Sequence, residues 1–385
     1  MGHSPAVGRL RDYVAIPSVN PMGRNDIPDE IAGEQRLAEH LDAEFRRLGL
    51  DSRVIGSGTR RSVVAEARAA DATDTILIAS HIDTVPVDGM EIPPFDPSIE
   101  AGRLHGRGSC DTKAGMAACV TALEKLLRDG TLGCNVILVG EADEEFRSVG
   151  VTDVLDALGT RQPDWILATE PTGMRVVTHH KGVAVAQVRA HGRACHSSAP
   201  DEGSNALVAL ARAVLSLDAL ASRLGETRHE RLGPGTLSVN LARGGHALNI
   251  VPDRAELTLD RRLLPGETES SVRAEIEEAL RDAEAEGLEL SWCSVEKPPL
   301  GTAEDHPAVQ RCQAALAARG METAADCAAF GTDAGVFEEH GLPGVVLGPG
   351  SILQAHTARE HVEIEEVERA VAFFETLLRA ESTGR

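Results

Sequence analysis

Four short apolar runs, each followed within ten residues by side chains that bind cations, most constrain what this chain can fold into. They are Thr75–Ala79, Val136–Val139, Trp165–Ala168 and Val345–Leu347. Each is continuous, rich in β-formers and bounded by turn residues, as strands buried on both faces are. Helical patterns lie between them, notably Lys113–Leu127, closed by Gly130. Earlier, residues 31–48 place Ile31, Leu37, Leu41, Phe45 and Leu48 at helical spacing and end at Gly49. Alternating strand and helix predicts an α/β layer fold with a largely parallel sheet.

The middle of the chain has a different rhythm. Val183–Ala190, Leu237–Leu241, Ala255–Leu259 and Leu288–Trp292 alternate as half-exposed strands do. Helical stretches at Asn205–Leu224 and Glu269–Ala285 complete the order β-α-β-β-α-β. That is the ferredoxin-like pattern. An inserted α+β domain is therefore expected at 179–297, interrupting a first domain made of 1–178 and 298–385. A length of 385 residues fits two domains better than one core.

Composition narrows the partners. The formal charge of −22 argues against nucleic acid or an anionic membrane as partner. It leaves room for a small anionic substrate, since a single well-placed arginine acts at short range while distant charge is screened. Seven cysteines, an odd number with no C-x-x-C, suit reduced thiols in a cytoplasmic protein. The N-terminal stretch lacks the apolar core of a signal peptide, and no run is long enough to span a membrane.

Five residues carry the chemistry: His81 in SHIDTVP, Asp111 in GRGSCDTKAG, Glu145 in EADEEF, Glu170 in ATEPTG and His356 in GPGSILQAH. Ligands in open α/β sheets gather beyond the carboxyl ends of strands, where most of these lie. Alone, each has a plainer reading: a turn histidine, a helix N-cap for Asp111, solvated loop acids. Together, two imidazoles and three carboxylates suit a pair of divalent cations, and zinc, cobalt and manganese all accept such a set. Asp83, two residues beyond His81, is placed to orient it. Glu144 precedes Glu145, and adjacent carboxylates in an irregular segment diverge, so one can bind metal while the other faces the reacting water. The glycines before His356, Gly350 among them, permit close backbone approach to a ligand.

In this order, SHIDTVP, GRGSCDTKAG, the Glu144–Glu145 pair, ATEP, GRACHSSAP, ALNIVPD, DRRLLPGE and GPGSILQAH resemble the cocatalytic zinc amidohydrolase and peptidase family over nearly the whole chain. Its members include acetylornithine deacetylase, succinyl-diaminopimelate desuccinylase, aminoacylase and carboxypeptidase G. The resemblance implies a zinc-exopeptidase-like catalytic domain interrupted by a ferredoxin-like lid that dimerises. It implies that Asp111 bridges two metals, with His81 and Glu170 completing one site and Glu145 and His356 the other. Glu144 matches the catalytic carboxylate and Asp83 the residue behind the first histidine. His196 matches a histidine that reaches the neighbouring subunit's site. Asn249 and Arg262 match substrate-binding positions of the lid, and Asp333 and Gly350 are further candidates for substrate contact. Two departures stand out: DTKAG replaces a D-M-K-G-G-like run, and GTDAG places Asp333 where acetylornithine enzymes carry glutamate.

The implied activity is hydrolysis of the amide bond of a small N-acyl-L-amino acid, acetylornithine deacetylase-like, by a metal-bridged water with Glu144 as general base. Alternatives are a metallo-exopeptidase acting on dipeptides or C-terminal residues, a desuccinylase, and a non-catalytic binding relative. A serine-hydrolase reading lacks its G-x-S-x-G elbow.

Overall fold

The computed structural model describes residues 3–70 and 72–380; residues 1, 2, 71 and 381–385, including both ends of the expected catalytic domain, lie outside the described residues. The chain divides into two compact units. The first runs through Thr178 and resumes over Thr302–Asp326 and from Thr332 onward; the second comprises His179–Gly301 and Cys327–Gly331.

Four parallel strands form the centre of the first unit, in the spatial order Asn135–Glu141, Thr75–His81, Trp165–Ala168, Gly344–Val346. Arg60–Ala67 pairs antiparallel with Asn135–Glu141, and Asp51–Ser57 forms a hairpin with it. On the other side, Val177 pairs antiparallel with Val346. Apolar side chains at Ile76, Ile78, Val136, Leu138 and Leu167 share one core with Leu10, Phe45, Leu123, Phe373 and Phe374 from helices. Full burial of a phenylalanine such as Phe373 contributes about 1.5–3 kcal/mol. Helices cover the sheet, so its strands can be apolar throughout.

Helix ends follow local chemistry. Lys113–Asp129 stops at Gly130, which adopts the left-handed conformation (φ 64°) while its amide caps the last turn. The early helix begins at Gln35, later than the apolar spacing suggests. Residues 31–33 instead meet Val19: its amide donates to Ile31, and Gly33 donates back to it at 2.8 Å. These bonds satisfy main-chain groups that a helix would have used.

The second unit is a four-stranded antiparallel sheet in the order Thr236–Gly244, Arg254–Leu263, Gly182–His191, Leu288–Lys297. In chain order this is the 2-3-1-4 arrangement of a ferredoxin-like fold. Helix Ala206–Leu224 is capped by the Asn205 side chain, and helix Glu269–Asp282 by a reciprocal Thr268–Ser271 box. Their apolar faces (Leu210, Leu217, Val272, Ile276) pack on Val188, Leu257 and Leu259, the alternate side chains of the inner strands. Among the described residues no helix is long and apolar enough to cross a membrane.

Candidate metal centre

The parallel strands end at one edge of the sheet, and the loops beyond them bring the five sequence-selected residues together. His81 closes Thr75–His81 and is fully buried. Its Nδ1 lies 3.1 Å from the main-chain carbonyl of Asp83 and 3.5 Å from the carboxylate. A carbonyl only accepts, so the neutral ring carries its proton on Nδ1 and turns the Nε2 lone pair to the site.

Nε2 of His81 faces two carboxylates: Asp111 Oδ1 at 3.0 Å and Glu170 Oε2 at 3.9 Å. His356 Nε2 faces two others: Asp111 Oδ2 at 3.2 Å and Glu145 Oε1 at 3.1 Å. Asp111 thus gives one oxygen to each imidazole, dividing the cluster into two halves around a shared carboxylate. The helix N-cap is Thr112, so Asp111 does not cap, as a lone aspartate there usually would. His356 itself has a left-handed backbone (φ 61°), a conformation uncommon for residues other than glycine, though histidine tolerates it better than most. Gly350 shows why glycines precede it. Its φ is 98°, and a Cβ there would sit 2.6 Å from Cys110 Sγ, beside Asp111.

Asp83 does more than its spacing from His81 suggests. Its carboxylate accepts the amides of Glu144 (3.2 Å) and Glu145 (3.0 Å) and the side-chain amide of Asn20 (2.9 Å). Asn20 donates also to Asp143 at 2.9 Å, and Asp143 turns the chain with a positive φ of 67°. One buried aspartate therefore ties the first imidazole to the turn that presents both glutamates. Neither Asn20 nor this tie has a signature in the sequence.

The electrostatics show what the cluster demands. Burial opposes protonation of His81, yet Glu170, Asp111 and Asp83 outweigh it and hold its pKa well above the ordinary value. Hydrogen bonds that His356 donates to Asp111 and then Glu145 raise its pKa to about 10. Burial opposes ionisation of Asp111, but His356 and His81 keep its pKa low. Burial raises Glu145. Behind the site, burial and the Asp83 charge raise Glu34 to about 8. The carboxylates hold protons on the imidazoles because they need positive charge.

Divalent cations fit that need. Ligand atoms of His81, Asp111 and Glu145 all lie within 4.8 Å of one another, and each half offers one imidazole nitrogen with two carboxylates. Asp333 is buried at the start of helix Asp333–Glu339.

The remaining candidates belong to the second unit. His196 is exposed, and its Nδ1 accepts the Ser198 amide at 3.2 Å, so the neutral ring carries its proton on Nε2. Ser197 donates to the Asn249 carbonyl at 3.0 Å, so His196 and Asn249 lie on paired segments. Arg262 is half-buried and bonded through Nε to Asp260 at 2.9 Å.

Comparison with known proteins bears on the family and the fold. Residues 77–380 match the description "Peptidase family M20/M25/M40". An acetylornithine deacetylase of Myxococcus xanthus is 30% identical over 338 residues, covering 86% of this chain and 83% of that protein. A succinyl-diaminopimelate desuccinylase of Methylococcus capsulatus is 30% identical over 327 residues, 81% of this chain and 84% of the relative. A metallo-carboxypeptidase of Sulfolobus solfataricus shares the fold with a TM-score of 0.79 at 21% identity, covering 98% of this chain and 99% of that one. So does a dinuclear metal-binding peptidase of Bacillus subtilis, with a TM-score of 0.71 at 16% identity over 97% of this chain and 96% of its own. With its ordered motifs, its α/β core and a donor set divided about one aspartate, this chain belongs to peptidase family M20/M25/M40, a family of metal-dependent hydrolases.

Proposed function

We propose that the protein hydrolyses the amide bond of a small N-acyl-L-amino acid, using two divalent metal ions, most naturally zinc. The observation that carries this is the division of the cluster by Asp111 into two half-sites of like composition. When bound, the pair supplies Lewis acidity and a water acidic enough to react near neutral pH. His81, Glu170 and Asp111 would hold one ion, and Glu145, His356 and Asp111 the other. Glu144, on the turn secured by Asp83, takes the proton of the attacking water and returns it to the leaving nitrogen. His196 donates to the developing oxyanion. Arg262 pairs with the substrate carboxylate, which its planar fork recognises better than lysine does. Asn249, Asp333 and Gly350 complete the substrate contacts.

The deacetylase and desuccinylase relatives, both 30% identical, support an acylated amino acid as substrate. Free-amine release from N-acetylornithine, other N-acetyl amino acids, N-succinyl-diaminopimelate and a dipeptide panel tests this with zinc- or cobalt-loaded and chelated enzyme. Metal-dependent release from one acyl amino acid is the expected result. Release from dipeptides alone would replace the deacylase reading with an exopeptidase, and silence with both metals bound would remove the catalytic claim.

We infer further that the second unit is a lid that pairs two copies of the chain. Leu207, Val208 and Leu215 on helix Ala206–Leu224 and Leu241 on the edge strand Thr236–Gly244 are exposed, Leu215 by 71%. Exposed apolar side chains on this helix and on a strand that is a sheet edge among the described residues offer a surface that association would cover. Sedimentation velocity is expected to give a dimer, and Leu215→Glu to give monomers. A monomeric wild-type enzyme with full activity would exclude both the pairing and any action of His196 across it. A cytoplasmic location suits the seven free thiols; isolation from cells with a cysteine pair oxidised would count against it.

A further inference from the structure

We propose that Glu360 is a positioning residue for Asp111, holding the main chain that carries the shared carboxylate so that its two oxygens serve both half-sites. This rests on the metal-centre reading above.

Glu360 is fully buried, and each of its oxygens accepts two hydrogen bonds. Oε1 takes the amides of Cys110 at 3.0 Å and Asp111 at 3.1 Å. Oε2 takes the Gly108 amide at 3.1 Å and Arg107 Nη1 at 2.5 Å. Its own main-chain carbonyl accepts the Gly106 amide at 3.1 Å. A buried carboxylate is unfavourable unless its charge and lone pairs are met, and the 106–111 segment meets them all. On the other side of Asp111, the buried Lys113 Nζ donates to the carbonyls of Tyr13 and Ile16, both at 3.0 Å. Asp111 is thus secured on both sides in the chain, and its carboxylate is left for the imidazoles.

The placement of Glu360 in the chain adds to this. It follows His356 by four residues. One short segment therefore supplies an imidazole to one half-site and fixes the aspartate that both halves share. Shifting this segment against residues 106–111 would change the Asp111–His356 approach (3.2 Å) and the Asp111–His81 approach (3.0 Å) together.

Glutamine cannot substitute, because both oxygens face two N–H donors. Either orientation of an amide sets its NH2 against donors where an acceptor is required. Aspartate keeps the charge but falls one methylene short. The test titrates cobalt(II) into chelated wild type, Glu360→Gln and Glu360→Asp, following heat and the visible absorption band, with thermal melts alongside. Wild type is expected to bind two equivalents. The variants are expected to bind both roughly 10–100-fold more weakly, the range seen when groups supporting metal ligands are removed. At saturating cobalt their visible band is expected to differ from that of wild type, since the Asp111 oxygens no longer approach as before. Lower melting temperatures with unchanged isotherms and spectrum would overturn the proposal and leave Glu360 a structural residue only. If the glutamine variant does not fold, the aspartate variant alone carries the same two outcomes. A wild type that binds no pair of ions would overturn the metal-centre reading and this inference with it, a result distinct from failure of the variants alone.

Discussion

Replacing Glu144 by alanine is expected to lower kcat by roughly 10²–10⁴-fold, the usual worth of a positioned proton shuttle, while both metals stay bound. At 1.36 kcal/mol per factor of ten this is about 3–5 kcal/mol of lost barrier reduction. The separation of effects follows from the turn. Glu145 extends to His356 at 3.1 Å, whereas Glu144 is buried and held through its amide at 3.2 Å by Asp83. Removing the Glu144 side chain leaves both amide bonds to Asp83 intact, so the neighbouring ligand keeps its place. Steady-state kinetics with metal analysis on the same preparation checks this. Near-normal turnover at full metal content would sink the assignment of Glu144 as the base.

Asp111→Ala is expected to abolish turnover by another route, weakening both ions by more than about 100-fold, beyond the usual cost of losing a supporting group. Among the described residues Asp111 is the one carboxylate with an oxygen within 3.2 Å of each imidazole, so no other single substitution at the cluster should cost as much. Proton linkage gives an independent reading. Without metal, His356 is raised from about 6.5 to about 10 by Asp111 and Glu145, so at pH 7 its ring is charged. A cation must displace that proton, and apparent metal affinity is expected to climb as pH rises from 7 towards 10. Calorimetry in two buffers of different ionisation enthalpy should register the protons released.

The same shift has a sign for stability. A folded pKa above the unfolded one means the contribution is complete below about pH 6.5 and is lost as pH rises through about 10. Melting temperatures of the chelated protein should therefore fall across that window, and Asp111→Ala should flatten the fall. His356 is half-exposed, so screening keeps the effect modest. A chelated protein releasing no protons on loading would refute the linkage.

Local pattern carried much of the architecture. Trp165–Ala168 is a strand with the ends its apolar run suggests, and the β-α-β-β-α-β order of the second unit emerges as a ferredoxin-like sheet. These features rest on period and burial, which neighbouring residues encode. The early helix shows the limit: residues 31–33 have helical spacing, but Val19, twelve or more residues away, claims their main-chain groups. Spacing cannot register such competition.

The sequence by itself determined the residue types of the candidate site and, for four of the five, their placement after apolar strands. A parallel strand buried on both faces has to be apolar, and the polar residues that follow it emerge at the sheet's carboxyl edge. Only the tertiary structure decided the pairing: which oxygen of Asp111 meets which imidazole, that Asp83 holds the Glu145 amide 62 residues on, and that Glu360 holds the Asp111 amide 249 residues back. Those choices arise from the packing of distant segments against a common core, where a shift of a few tenths of an ångström makes or loses a hydrogen bond, and no local periodicity carries that information.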